Sequence, residues 1–146
     1  MINTVRVRGI DLAYEDVGPT DDDAPDAAPL VWGHGLSRSV AEDDQFPMID
    51  WQRIRRTRRV VRFDARGHGE SGPLASPVDG AWDRLALDEV GLIEALSLPE
   101  VVLGGASAFD AALALRISEV QLYRRQCHAE RALAALAALD RDHPGR

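Results

Sequence analysis

The chain has 146 residues, of which 45% are hydrophobic and 28% charged, so it is long and apolar enough for one globular domain with a buried core. Its net charge of −7 disfavours a general nucleic-acid binder, whose phosphate contacts need a basic face. The single cysteine, Cys127, excludes an internal disulfide and a cysteine-rich zinc site. No segment approaches the roughly 18 apolar residues of a membrane span, and the N-terminus lacks a secretory pattern, so we expect a cytoplasmic protein without membrane contact.

The first half of the chain predicts a hairpin followed by a buried strand. Alternating valine and arginine at residues 4–8 are typical of a half-buried strand, and residues 11–15 predict its partner across Gly9. A loop rich in proline and aspartate, residues 18–29, leads to a continuous apolar segment at residues 30–32. Such a short apolar segment indicates a parallel strand that is buried on both faces.

Residues 37–56 show partial helical spacing, and Pro47 predicts the start of a new helix within them. An arginine-rich segment then precedes the next predicted strand, residues 59–63. Because cations are favoured at the C-terminus of a helix, these arginines predict a helix end and not a nucleic-acid site. They are Arg53, Arg55, Arg56, Arg58 and Arg59.

The second half continues the alternation of helix and strand. Apolar residues at helical spacing predict an amphipathic helix over residues 82–96, with Asp79 as its N-cap. Residues 100–103 predict a strand, and helical propensity persists from Ser107 to residue 139. This order predicts one α/β domain with an N-terminal hairpin, a mostly parallel sheet of about five strands, right-handed crossovers and a long C-terminal helix.

Three predicted strands run into glycine-containing junctions. The first reads Gly-His-Gly-Leu and ends at Leu36, the second reads Asp-x-Arg-Gly-His-Gly-x-Ser over residues 64–71, and the third reads Gly-Ala-Ser and ends at Ser107. In this order they resemble the N-terminal half of the α/β-hydrolase family. The resemblance covers residues 5–115, and the second junction is its most specific part.

This resemblance implies a nucleophile and an oxyanion hole. Ser107 would be the nucleophile of the elbow between strand and helix, and the backbone N–H groups of Leu36 and Ala108 would hold the oxyanion. The family pattern Gly-x-Ser-x-Gly is broken by Phe109, which replaces the last glycine. Ser107 followed by Asp110 also fits the N-cap of a helix, and the two interpretations are compatible.

A nucleophilic serine needs a base, and the family places its acid and histidine on later strands. His128 and His143 are the histidines that follow Ser107 here, and we consider His143 a weak candidate for the base. The resemblance assigns His34 to the organisation of its loop. It assigns residues 64–71 to shaping the site, and Asp64 and Arg66 could pair there to stiffen the turn.

The resemblance therefore implies a serine esterase-type hydrolase of a small ester-like substrate, with weak or no activity and with no cofactor or metal. The alternative is a non-catalytic relative that self-associates or binds a partner. Residues 1–116 are family-like and residues 117–146 form an unrecognised helical tail, so we interpret residues 1–146 as a single truncated domain. Because truncation would leave the strand at residues 100–103 unpaired, we expect a homodimer through that edge or the C-terminal helix, or coverage of the edge by helix 130–139.

Overall fold

The computed structural model describes residues 1–22 and 26–106, which form one sheet with helices on both sides. The strands are β1 (Ile2–Val7), β2 (Ile10–Val17), β3 (Leu30–Gly33), β4 (Val60–Phe63) and β5 (Val102–Gly105), and the helices are α1 (Val40–Gln45), α2 (Trp51–Thr57), the 3-10 helix Pro77–Gly80 and α3 (Trp82–Ala95). The strand order is β1-β2-β4-β3-β5. β1 with β2 and β2 with β4 are antiparallel, whereas β3 is parallel to β4 and to β5. The predicted five-stranded α/β architecture is confirmed, and the described sheet is mixed because the hairpin adds two antiparallel pairings.

The hairpin turns in two residues. Arg8 and Gly9 have φ angles of 44° and 87°, and Val7 pairs with Ile10 directly across them. Positive φ at both central positions gives a turn whose twist matches that of the flanking strands. The predicted hairpin is therefore confirmed; β1 begins two residues before its predicted start, and β2 ends two residues after its predicted end.

One face of the sheet is apolar and packs against α3. Its central contributors are Leu12, Val31, Val61 and Phe63 from the strands and Leu85, Leu92 and Ile93 from α3, each at most 7% exposed. Full burial of one such side chain is worth about 1.5–3 kcal/mol. Gly91 lets α3 approach β1, since a Cβ there would stand 2.6 Å from Cγ1 of Val7. The amphipathic helix predicted from the spacing of apolar residues is confirmed.

The opposite face carries charge and is covered by α1 and α2. One row of residues lies in register across β2, β4, β3 and β5 on this side, and consists of Glu15, Arg62, Trp32 and Gly104. We call this side the charged face. Arg62 is 1% exposed. Its Nε and Nη2 donate to Oε2 of Glu15 at 2.9 and 2.5 Å, and its Nη1 donates to Oδ1 of Asp44 at 2.7 Å.

Helix α2 closes the charged face over Arg62. The Arg62 guanidinium carbon lies 4.9 Å from the centroid of the Trp51 ring, and Arg55 also pairs with Glu15. Burial lowers the pKa of Arg62, but the hydrogen bonds to Asp44 and Glu15 outweigh it and raise that pKa above its usual value. The guanidinium is therefore a permanent cation between two carboxylates.

The helix starts differ from two predictions. The predicted helix start at Pro47 is wrong, because α2 begins at Trp51, where the Asp50 carboxylate accepts the backbone N–H of Arg53 at 3.0 Å. Asp79 does not cap α3, since it accepts the backbone N–H of Ser76 at 2.9 Å and closes a capping box around the 3-10 helix. The predicted helix end in the arginine-rich segment is confirmed, because α2 ends at Thr57 with two arginines in its last turn.

The last described strand is shifted by two residues from its predicted position. The sequence predicts residues 100–103, whereas β5 covers Val102–Gly105 and so includes two glycines. Gly104 fits there because the Trp32 ring of β3 lies across it, and a Cβ on Gly104 would stand 2.9 Å from Cε3 of Trp32. Glycine in a strand interior often marks such a close approach.

Candidate active site

Three parallel strands end at the same edge of the sheet. β3 ends at Gly33, β4 at Phe63 and β5 at Gly105. Gly33 pairs directly with Phe63 on one side and with Gly105 on the other. The three junctions of the sequence analysis follow these positions. In open α/β sheets, ligands bind outside the carboxyl ends of the strands, so this edge is the candidate site.

The loop after β3 lies against the start of the loop after β5. The backbone N–H of Ala106 donates to the carbonyl of Gly33 at 3.0 Å. A Cβ built on Gly35 would stand 3.6 Å from the Ala106 methyl carbon, so Ala106 lies directly beside Gly35. The structure thus brings the first and third junctions together.

His34 is buried and organises its loop through both ring nitrogens. Its Nε2 accepts the backbone N–H of Ala65 at 2.9 Å, and its Nδ1 donates to the carbonyl of Gly35 at 2.8 Å. These roles define a neutral ring with the proton on Nδ1. Burial is the main cause that lowers the pKa of His34, with a smaller contribution from the nearby His68. The predicted structural role of His34 is confirmed.

The two peptide groups that flank Leu36 are both held through their carbonyl oxygens. The Gly35 carbonyl accepts from His34 and from the backbone N–H of Arg38 at 3.1 Å. The Leu36 carbonyl lies 2.7 Å from Nε2 of His68. Within residues 1–22 and 26–106, the backbone N–H of Leu36 has no acceptor, and the residue is 62% exposed. No described residue therefore occupies this donor.

Asp64 joins the two loops that follow β3 and β4. Its Oδ1 accepts the backbone N–H of Val40, the first residue of α1, at 2.7 Å, and its Oδ2 accepts that of Glu70 at 2.9 Å. Gly69 has a φ of 48°, and a Cβ there would stand 2.0 Å from Asp64 Oδ2. The carboxylate thus occupies the space that a side chain at Gly69 would need.

The predicted pairing of Asp64 with Arg66 is wrong. Arg66 instead makes a bidentate pair with Asp88 of α3, through Nε to Oδ2 and Nη2 to Oδ1, both at 2.8 Å. Arg8 donates to the same carboxylate at 3.0 Å. The hydrogen bond to Asp88 raises the pKa of Arg66. The turn after β4 is therefore tied to α3.

Sequence reasoning did not identify Asp88. Its spacing could have predicted burial, because Asp88 lies three residues after Leu85 and four before Leu92, on the apolar side of α3. A charged residue in an apolar stripe is almost always paired when buried. Asp88 is 1% exposed, as that rule requires of a paired carboxylate.

Three of the four candidate site residues, Ser107, Ala108 and His143, lie outside the described residues. Within the described part, no three side chains of the metal-ligating types gather into a group that could hold an ion. Over the same residues, none of the helices has the length and apolar character that a bilayer crossing requires.

Known proteins resemble the chain over its N-terminal portion. No family model matches it. A non-heme chloroperoxidase of Burkholderia pyrrocinia is 33% identical over 98 residues, which are 67% of this chain and 32% of that protein. The crystal structure of an enol-lactonase from Burkholderia xenovorans superposes with a TM-score of 0.64 at 26% identity, covering 78% of this chain and 42% of the lactonase.

Over its N-terminal part, the chain resembles α/β-hydrolases in sequence and in fold. An epoxide hydrolase from Vigna radiata shares the fold, with a TM-score of 0.61 at 24% identity over 79% of this chain and 34% of that one. The chain spans about a third of the length of the curated relative that it matches. The site described here is the part of the α/β-hydrolase fold that surrounds the ends of β3, β4 and β5.

Proposed function

We propose that this chain carries out serine-dependent acyl transfer on small ester-like substrates, with Ser107 as the nucleophile. The similarity to an enol-lactonase supports the ester class, because a lactone is a cyclic ester. The similarity to a chloroperoxidase at 33% identity supports the family and leaves the substrate open.

One observation carries the proposal. The loop that presents the Leu36 N–H lies beside Ala106, whose own N–H donates to the Gly33 carbonyl, and Ser107 is the next residue along the chain. An oxyanion hole needs backbone donors that are fixed before charge develops on the substrate oxygen. Leu36 supplies one such donor, with its peptide group held by His34 and Arg38. Ala108 is the second donor in this proposal.

The proposed reaction is ester hydrolysis through an acyl-enzyme on Ser107. The Ser107 hydroxyl attacks the ester carbonyl, the oxyanion accepts hydrogen bonds from Leu36 and Ala108, and the alcohol leaves with a proton to give an acyl-enzyme that water then hydrolyses. His143 is our candidate for the base. Its chain neighbour Asp142 cannot form the orienting relay of a triad from an adjacent position, so we expect slow turnover, sustained by the oxyanion donors and by binding.

A fluorophosphonate probe tests the nucleophile, because it labels activated serines and spares ordinary ones. We expect the wild-type protein to be labelled at Ser107 and the Ser107→Ala variant to be unlabelled. Ser37→Ala is the matched control, since Ser37 is an exposed serine of the loop after β3. Equal labelling of wild type and Ser107→Ala, or no labelling of either, would contradict the proposal.

A second candidate function is self-association, with the sheet edge as its basis. β5 ends the strand order in the part of the chain that the structure describes, and Val102 in it is 43% exposed. An exposed edge strand offers backbone groups to another chain. We propose a homodimer for this function, and light scattering after size exclusion tests it. Val102→Lys should convert the dimer to a monomer, whereas a monomeric wild type would exclude this candidate.

A further inference from the structure

His68 projects from a tightly bonded turn after β4. Its own backbone N–H donates to the Ala65 carbonyl at 2.9 Å, and its carbonyl accepts from the backbone N–H of Ser71 at 3.0 Å. The Ser71 hydroxyl donates in turn to the Asp64 carbonyl at 2.6 Å. These bonds fix the position from which the His68 ring extends.

The His68 ring reaches across to the loop after β3. Its Nε2 lies 2.7 Å from the Leu36 carbonyl, 32 residues away in the chain, and its centroid lies 5.0 Å from that of His34. Because a carbonyl oxygen only accepts, Nε2 must carry a proton for this bond. Nδ1 of the same ring lies 3.1 Å from the Arg66 carbonyl, a longer contact within its own turn.

The two histidines hold successive peptide groups. His34 holds the carbonyl of the peptide that contains the Leu36 N–H, and His68 holds the carbonyl of the next peptide. In a planar trans peptide the N–H points opposite to the C=O, so fixing both carbonyls fixes the backbone on each side of the Leu36 Cα. A loop held on one side only could rotate about the bonds of Leu36.

We infer that His68 is a positioning residue for the oxyanion hole: its Nε2–H holds the Leu36 carbonyl and thereby keeps the Leu36 N–H directed at the substrate oxygen. This inference rests on the proposed function, since it assigns a purpose to the Leu36 donor. His68 touches no reacting atom and acts only through the backbone of Leu36.

Two variants separate the donor from the ring. His68→Phe keeps a ring beside His34 and removes the donor, whereas His68→Gln keeps an N–H donor on a side chain of similar reach. We expect His68→Phe to lower the rate constant of fluorophosphonate labelling about tenfold, the equivalent of one hydrogen bond, with little change in melting temperature. We expect His68→Gln to stay within about threefold of wild type.

A second measurement keeps the inference independent of activity. Amide hydrogen exchange and nitrogen relaxation at Leu36 and Ser37 report the order of this loop directly. His68→Phe should increase exchange and motion there, and His68→Gln should restore the wild-type values. If Leu36 is as ordered in His68→Phe as in wild type, the inference is wrong, whatever the labelling shows. If Leu36 loosens in His68→Phe while the wild-type protein is never labelled, the positioning stands and the proposed function fails.

Discussion

The two faces of the sheet are stabilised by different means. The apolar face packs Val31, Val61 and Phe63 against α3, and its contacts have no preferred direction. The charged face holds Arg62 between Glu15 and Asp44, with each donor nitrogen aimed at one oxygen. The apolar face therefore tolerates apolar substitutions of similar volume, whereas the charged face depends on each partner, because a buried ion without its partner is costly.

Removal of one charge from the charged face should have the largest effect. Glu15→Gln leaves the buried Arg62 with Asp44 as its remaining carboxylate partner and removes the carboxylate that pairs with Arg55, so we expect a loss of about 3–5 kcal/mol in the free energy of unfolding. Urea denaturation measures it. Asp11→Asn is the control, because its exposed pair with Arg6 should contribute no more than about 1 kcal/mol. Similar losses in the two variants would remove the contrast between the faces.

Truncation of one core side chain should have the next largest effect. Leu92 is 0% exposed on α3, so Leu92→Ala should lower the free energy of unfolding by about 2–5 kcal/mol through lost burial and a residual cavity. Leu92→Met, the conservative control, should cost less than about 1.5 kcal/mol. If Leu92→Met were as damaging as Glu15→Gln, the apolar face would be no more tolerant than the charged one.

The pH dependence of stability should have the smallest effect, and we expect it to come from His34 in the loop after β3. Burial lowers the pKa of His34 below the unfolded value of 6.5, so the unfolded chain binds a proton more readily. Stability should thus be full above pH 6.5 and fall as the pH decreases below it. His34→Gln should flatten this slope in urea titrations at pH 5 to 7, and His68→Gln, which keeps His34, should retain it. An unchanged slope in His34→Gln would assign the pH dependence elsewhere.

The sequence predicted the local elements well, because each has a short-range cause. Each signal lies within about 15 residues of sequence: Gly9 in the hairpin turn, the apolar segment of β3 and the amphipathic spacing of α3. It also placed the Leu36 loop beside the strand before Ser107, although only through resemblance to a family. Its errors concern competing partners: Asp79 was predicted to cap α3, but it accepts the backbone N–H of Ser76 in the capping box of the 3-10 helix.

The sequence by itself determined where the chain turns, which helix face is apolar and which three junctions carry glycine, since these depend on backbone preference and on hydrophobic periodicity. Only the tertiary structure decided which charges meet. Arg66 pairs with Asp88, 22 residues away, and His68 with the Leu36 carbonyl, 32 residues away. Such partners are selected by strand order and packing, because a carboxylate or a carbonyl accepts any suitable donor that the fold brings within reach.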